Sequence, residues 1–161
     1  MTSRDVERGK KALKELNKLG LEPKYHQLDI DDESSVIVLR DYLLSTYGGL
    51  DVLVNNAGTA FHYDTSASFS EQCTVTVRTN FFNTYRLCTI LFPILRSHSR
   101  VVNVSSSSGH LGKIEGSDDT SVALRSKLSS NELTHEELIL LVQQFVEYVF
   151  HFYPDLKAFL S

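Results

Sequence analysis

The residues best suited to chemistry follow apolar segments of the chain. Asn55-Asn56-Ala57-Gly58 follows the apolar segment 50–54, and four serines, 105–108, follow the segment 100–104. Ligands of open parallel sheets bind beyond the carboxyl ends of the strands. There an asparagine would bond a ribose, and a serine hydroxyl would donate to a substrate carbonyl. A plain β-turn explains the first motif equally well, and a serine-rich polar loop is the simpler explanation of the second.

Three other positions carry suitable groups. Asn80 lies inside a helical pattern, where an asparagine is unfavourable unless its side chain holds a water or a backbone group, or is a buried structural residue. Asp29 ends a strand-like segment, so its carboxylate would accept from an adenine amino group or cap the next helix. Arg4 and Arg8 suit bidentate phosphate binding, although a solvated helix face explains them as simply.

Apolar spacing and turn residues predict the elements that position these groups. Asp5 and Gly20 flank the first helix, Gly48-Gly49 closes the second, and Thr134 with Glu137 forms a capping box before the last. The β-branched segment 50–55 is typical of a strand buried on both faces. We predict helices at 6–19, 36–47, 69–95 and 134–150, strands at 24–30, 50–55 and 100–105, and an irregular segment at 109–130. This alternation favours a parallel sheet with helices on both faces.

Composition narrows the class of protein. The chain has 161 residues and a net charge of −4, which fit one domain and give no reason to expect nucleic acid or an anionic membrane as a partner. Cys73 and Cys88 form no disulfide framework or metal cluster, so we expect free, buried or half-buried thiols in a reducing compartment. The segment 138–152 is too short and too polar to span a membrane, and no signal peptide follows Met1. A cytoplasmic location is therefore expected.

Five segments together resemble the short-chain dehydrogenase/reductase family, and within it the monomeric, NADPH-dependent carbonyl reductases. They are TSRDVERG (2–9), YHQLDIDD (25–32), YGGLDVLVNNAG (47–58), TNFF (79–82) and RVVNVSS (100–106). The resemblance implies an α/β fold, a partial Rossmann-type, doubly wound parallel sheet that lacks the first β-α-β unit and the last strands. It implies one incomplete dinucleotide-binding domain over 1–161, with a helical insertion at 107–145 of the type that keeps carbonyl reductases monomeric. Residues 148–161 depart from the family's pattern, and we expect them to be a divergent tail.

The same resemblance implies reduction of ketones, aldehydes or quinones with NADPH. Arg4 and Arg8 would meet the 2′-phosphate, Asp29 and Ile30 would flank the adenine, and Asn56 would face the adenine-side ribose.

The resemblance also implies the residues that act on the substrate. Asn80 would hold a relay water, Ser106 would orient the carbonyl, and Tyr153 would give the proton while Lys157 lowers its pKa. A surface that accepts glutathione conjugates would comprise Phe61, His62, Tyr63 and Gln72. Of these, His62 and Tyr63 depart from the family's usual residues.

Two departures keep a second hypothesis open. The 161 residues contain no Gly-x-x-x-Gly-x-Gly turn, which cradles the cofactor pyrophosphate in the family. Pro154 disfavours a helical conformation at Tyr153, so the match of Tyr153 and Lys157 to Tyr-x-x-x-Lys is also explained by chance in a divergent tail. The alternative to a carbonyl reductase is a non-catalytic, truncated isoform or an incomplete gene model. Such a chain would expose apolar faces and sheet edges, be marginally stable and self-associate.

Overall fold

The computed structural model describes residues 1–152, which divide into two compact units. Unit 1 comprises Met1–Thr59 and Arg78–Val102, and unit 2 comprises Ala60–Val77 and the residues from Asn103 onward. Among these residues, no helix is both long enough and apolar enough to cross a membrane. The prediction of a single incomplete domain over 1–161 stays a prediction.

Unit 1 begins with a parallel strand pair. β1 (Thr2–Ser3) pairs with β2 (His26–Gln27), so that Thr2 lies opposite His26 and Ser3 opposite Gln27. The two are connected by α1 (Val6–Lys18), which begins where Asp5 accepts a hydrogen bond from the Arg8 backbone N–H. Gly20 follows α1 with a φ of 76°, a left-handed conformation that favours glycine. Both predicted ends of this helix are confirmed.

Gly9 allows α1 to approach the strands closely. A Cβ atom at this buried glycine would lie 2.2 Å from the Tyr25 ring and 2.4 Å from Ser3 Oγ. No other residue type fits unless the helix or the side chains of Tyr25 and Ser3 shift, because both distances are far shorter than a van der Waals contact. Gly9 therefore sets how closely the first helix packs against Ser3 of β1 and against Tyr25, the residue before β2.

Unit 1 also contains a second strand pair and a small core. α2 (Glu33–Tyr47) starts at the N-cap Asp32 and ends at Gly48, whose φ is 71°. β3 (Leu50–Asn55) pairs with β4 (Leu95–Asn103). The buried core contains Ile30, Val36, Leu87 and Leu91. Half-buried residues that pack against it are Leu28, Leu53, Cys88, Ile90 and Ile94.

The long predicted helix changes its winding in the middle. α3 (Phe69–Val77), a π-helical segment (Arg78–Asn83) and α4 (Thr84–Leu91) follow one another without a break, and a 3₁₀ turn (Phe92–Ile94) ends the run. We call Arg78–Asn83 the π segment. Its wider turn was not predicted, because apolar spacing does not distinguish a π turn from an α turn. Such insertions are frequent at functional sites.

Unit 2 is largely helical. Two 3₁₀ turns (Ser107–Gly109 and Leu111–Lys113) precede α5 (Asp119–Leu128) and α6 (His135–Phe152), and α6 packs against α3. The predicted capping box is confirmed. Glu137 accepts from the Thr134 N–H over 3.1 Å, and Thr134 Oγ1 accepts from the Glu137 N–H over 3.2 Å. The assignment of 107–145 as a family-specific insertion stays a prediction.

The predicted strand at 24–30 is wrong in length. Only His26 and Gln27 form strand, because the next residues fold into a turn in which Asp29 accepts from the backbone of Asp31 and Asp32. The last predicted strand begins earlier, at Leu95, and ends at Asn103. The irregular segment at 109–130 contains α5, whose start is marked by Asp118 accepting from the Ser121 N–H.

The prediction that β3 is buried on both faces is also wrong. Val52 and Val54 are each 54% exposed. Within residues 1–152, β3 has β4 as its one neighbouring strand. The exposure agrees with the expectation of uncovered apolar surface. As expected, Cys73 is buried and Cys88 half-buried, both are free thiols, and burial raises the pKa of each.

Val36→Ala tests the core of unit 1. Val36 is 0% exposed and Val38, on the same helix, is 58% exposed. We expect Val36→Ala to lower the free energy of unfolding by about 2 kcal/mol, since it removes buried methyl groups and leaves a cavity. The matched change Val38→Ala should cost less than about 0.5 kcal/mol. Urea unfolding followed by circular dichroism measures both, and equal costs would contradict the described core.

Glu137→Gln tests the capping box through its pH dependence. The hydrogen bond from the Thr134 N–H, and then Lys127 at 3.2 Å, lower the pKa of Glu137 below its usual value. A carboxyl with a lowered folded-state pKa stabilises the fold above its unfolded pKa, and this contribution is lost as pH falls through the folded value. We therefore expect the melting temperature of wild type to be higher than that of Glu137→Gln at pH 7. This difference in melting temperature should shrink below about pH 4. Glu136→Gln, which removes a charge from the same turn, should show a smaller change, and an equal change would contradict the assignment.

Candidate functional site

The carboxyl ends of β1 and β2 bring predicted cofactor residues to one edge of unit 1. Arg4 follows β1 directly, Asp29 lies two residues beyond β2, and the parallel register places the two strand ends side by side. Gln27 Nε2 donates to the Arg4 carbonyl over 3.3 Å, which holds the two ends together. The Arg4 side chain is 73% exposed, so its guanidinium is accessible to a phosphate.

Asp29 forms local hydrogen bonds through both its side chain and its backbone. Its carboxylate accepts from the Asp31 N–H over 3.0 Å, and its own N–H donates to Ser35 Oγ over 2.9 Å. Asp32 caps α2 by accepting from the Ser34 N–H, so the helix-cap alternative for Asp29 is wrong. Ile30 is 8% exposed and contributes its side chain to the core. The adenine contacts of Asp29 and Ile30 stay predictions.

Arg8 and Asn56 are both exposed. Arg8 Nε lies 3.8 Å from Asp5 Oδ2, and these two exposed side chains are three residues apart in the chain. Asn56 follows the end of β3 directly, and its neighbour Asn55 donates to Cys88 Sγ over 3.2 Å. The phosphate and ribose contacts of Arg8 and Asn56 stay predictions.

The Asn80 side chain binds a backbone group, which is one of the roles that its position inside a helix predicted. Its Oδ1 accepts from the Thr59 N–H over 2.7 Å, and its Nδ2 donates to the Thr59 carbonyl over 2.9 Å. A Cβ atom on Gly58 would lie 3.2 Å from Asn80 Oδ1, so glycine gives this amide room. We call this pair of bonds the Asn80–Thr59 clamp. It joins the π segment to the loop after β3, and the relay-water role of Asn80 stays a prediction.

Ser106 precedes the 3₁₀ turn Ser107–Gly109 in unit 2. Its hydroxyl oxygen accepts from the Ser108 N–H over 3.2 Å. A hydroxyl that accepts through a lone pair keeps its O–H as a donor. The local bond therefore orients Ser106 and leaves the donor that a substrate carbonyl needs.

The four residues of the predicted glutathione surface lie in unit 2. His62 Nδ1 is 3.4 Å from Asp64 Oδ1, and Tyr63 is 97% exposed. Gln72 Nε2 donates to the Ala67 carbonyl over 3.0 Å, so this amide closes the loop before α3. With the half-buried Phe61, these residues stay a predicted surface.

Tyr153 and Lys157, the predicted acid and its lysine, lie outside the described residues. Within residues 1–152, no group of three or more His, Cys, Asp or Glu side chains has an arrangement that would hold a metal ion.

A cluster of polar contacts around Asp31 was not predicted from the sequence. Asn83 donates to Asp31 Oδ1, Thr79 Oγ1 lies 3.4 Å from the same oxygen, and Arg4 Nη1 lies 3.9 Å from Oδ2. Arg86 donates to the Asp31 carbonyl over 3.1 Å. Asn83, a second asparagine inside the helical pattern, could have indicated this cluster, since an asparagine there also needs a partner.

Comparisons with known proteins place this arrangement in a family. The profile of the short chain dehydrogenase family matches residues 1–120. Carbonyl reductase [NADPH] 3 of Rattus norvegicus is 46% identical over 147 residues, and carbonyl reductase [NADPH] 1 of Homo sapiens is 47% identical over the same length. Each match covers 91% of this chain and 52% of the relative. The chain thus spans about half the length of these curated relatives.

Solved structures support the same assignment. Menthone neomenthol reductase from Mentha piperita is similar with a TM-score of 0.75 and 26% identity, over 91% of this chain and 63% of that one. A putative short-chain dehydrogenase/reductase from Burkholderia xenovorans shares the fold with a TM-score of 0.59 and 21% identity, over 78% and 50% of the two chains. The chain belongs to the short-chain dehydrogenase family, and the predicted partial Rossmann-type α/β fold is confirmed.

Asn80→Asp tests the Asn80–Thr59 clamp. Aspartate keeps the acceptor for the Thr59 N–H but turns an oxygen toward the Thr59 carbonyl, where asparagine donates. We expect a loss of about 1 kcal/mol in the free energy of unfolding and faster exchange of the Thr59 amide hydrogen. Asn131→Asp, in an exposed turn, is the matched control. An Asn80→Asp protein with wild-type stability and Thr59 exchange would contradict the clamp.

Proposed function

We propose that this chain carries an NADPH-dependent reductase activity toward small-molecule carbonyl compounds, namely ketones, aldehydes or quinones. The observation that carries the proposal is the shared edge of β1 and β2, where Arg4 directly follows one strand and Asp29 lies two residues beyond the other. This edge occurs in a chain that is 46% identical to carbonyl reductase [NADPH] 3 over 147 residues.

The groups at this edge fit the adenosine end of NADPH. The exposed guanidinium of Arg4 provides a planar, bidentate donor for a 2′-phosphate, which distinguishes NADPH from NADH. Arg8, on the first turn of α1, adds a second positive charge. Asp29 would accept from the adenine amino group beside Ile30, and Asn56 would bond the ribose. When bound, the nicotinamide of this cofactor supplies the hydride.

The remaining proposed residues act on the substrate. Ser106, oriented by the Ser108 N–H, would donate its O–H to the substrate carbonyl and so stabilise negative charge on that oxygen. Asn80 would hold the water that passes a proton onward. Tyr153 would protonate the substrate oxygen, and the positive charge of Lys157 would favour its phenolate form.

The proposal also includes a surface for glutathione conjugates, a cellular location and self-association. Exposed His62 and Tyr63 offer polar and aromatic contacts to a glutathione conjugate. Phe61 and Gln72 would border this surface. We place the protein in the cytoplasm, and we expect the exposed valines of β3 to promote self-association.

Titration of the 161-residue chain with NADPH and NADH, followed by nicotinamide fluorescence, tests the proposal. We expect Arg4→Ala to raise the Kd for NADPH about 10- to 100-fold, since a charge-assisted bond to phosphate is lost. The Kd for NADH should stay within about twofold of the wild-type value. Lys18→Ala is the control, because it removes a positive charge at the far end of α1, about 18 Å along the helix from its first residue.

Turnover of menadione with NADPH completes the test. Saturable binding with turnover that falls in Ser106→Ala is the expected result. A demonstrably folded sample with neither binding nor turnover would contradict the proposal and leave the non-catalytic alternative.

A further inference from the structure

Asp31 is held in place through its backbone on both sides. Its N–H donates to Asp29 Oδ1 over 3.0 Å, and its carbonyl accepts from Arg86 Nη2 over 3.1 Å. The same Arg86 nitrogen donates to the Ile30 carbonyl over 3.0 Å, and the Ile30 side chain lies in the core. With its main chain bonded to α4 and its neighbour buried, Asp31 presents its carboxylate in a fixed direction.

One carboxylate oxygen of Asp31 contacts the π segment on both sides of Asn80. Oδ1 accepts from Asn83 Nδ2 and lies 3.4 Å from Thr79 Oγ1. Asn83 is 6% exposed, so a lost partner would leave a buried amide unsatisfied. Thr79 immediately precedes Asn80, and Asn83 ends the π segment. Asp31 therefore restrains the turn from which Asn80 reaches Thr59.

The other carboxylate oxygen faces Arg4. Oδ2 lies 3.9 Å from Arg4 Nη1, in a pair whose side chains are 30% and 73% exposed. An exposed ion pair of this length contributes little to stability. It does place a negative charge beside the guanidinium that is proposed to bind a 2′-phosphate dianion, and a like charge there weakens phosphate binding.

We propose that Asp31 is a positioning residue with two separable effects: Oδ1 holds the π segment so that Asn80 forms its clamp with Thr59, and Oδ2 places a negative charge beside Arg4 that weakens phosphate binding there. The effect on Arg4 matters for catalysis only if the proposed function holds. The effect on Asn80 is a property of the folded chain alone, so the two proposals can fail independently.

The Thr59 amide hydrogen reports on the first effect without a cofactor. In ¹⁵N-labelled chain, we expect Asp31→Ala to speed its exchange about tenfold or more, since the bonds that hold the π segment are lost. Asp31→Asn keeps an acceptor oxygen for Asn83 and Thr79, so its exchange should stay within about threefold of wild type. Asp32→Asn removes the neighbouring charge and keeps an equally good N-cap, so it should leave the exchange unchanged.

Two results would overturn the proposal. Unchanged Thr59 exchange in folded Asp31→Ala would show that Asp31 does not hold the clamp. Equal acceleration in Asp31→Asn would show that charge, rather than the acceptor oxygen, matters. If Asp31→Ala does not fold, Asn83→Ala provides the same test, because it removes the buried donor to Oδ1, and unchanged exchange there overturns the proposal equally.

Ligand binding and turnover report on the second effect. We expect Asp31→Asn to bind NADPH about threefold more tightly than wild type, with NADH unchanged, because a negative charge near Arg4 is removed. We expect Asp31→Ala to lower kcat while KM for the carbonyl substrate changes little, and Asp31→Asn to restore kcat. Absence of turnover in the wild-type chain would contradict the proposed function. The exchange rate of the Thr59 amide hydrogen would still test whether Asp31 holds the Asn80–Thr59 clamp.

Discussion

β1 and β2 are two residues long, yet their parallel pairing determines where the proposed cofactor contacts lie. Ser3 opposite Gln27 brings the next residues of both strands, Arg4 and Leu28, to the same level. The bond from Leu28 N–H to the Ser3 carbonyl, 3.0 Å long, and the bond from Gln27 Nε2 to the Arg4 carbonyl extend this register. A shift of one residue would separate the guanidinium from the Asp29 turn.

Packing around the pair compensates for its short ladder. Gly9 lets α1 approach Tyr25 and Ser3, and Tyr25 Oη lies 3.2 Å from Ser3 Oγ. On the other side, Leu28 and Ile30 pack with the core under α2 and α4. The turn after β2 is thus held by burial on one side and by Arg86 and Asn83 on the other. Few main-chain bonds are needed when the flanking residues are fixed by neighbouring helices.

Local signals predicted most element ends and few of the contacts between elements. Asp5, Gly20, Gly48 and Thr134 were correctly assigned, because a cap or a left-handed glycine depends on a few adjacent residues. The position of Asn80 predicted that its side chain has a partner, but not that the partner is Thr59, which lies 21 residues earlier. The contacts of Asp31 reach partners up to 55 residues later in the chain, and spacing within one element carries no information about them. Val52 and Val54 were predicted to be buried because β-branched residues are typical of a strand that is covered on both faces. Their actual exposure depends on which strands lie beside β3.

The β1–β2 edge is proposed to bind the phosphorylated ribose of the cofactor. Amide chemical-shift mapping of ¹⁵N-labelled chain with adenosine 2′-monophosphate, and separately with adenosine 5′-monophosphate, tests this proposal most directly. We expect saturable shifts at Arg4 and at residues 28–32 that are larger with the 2′-phosphate than with the 5′-phosphate. Shifts of equal size with both nucleotides, or shifts that exclude this edge, would contradict it.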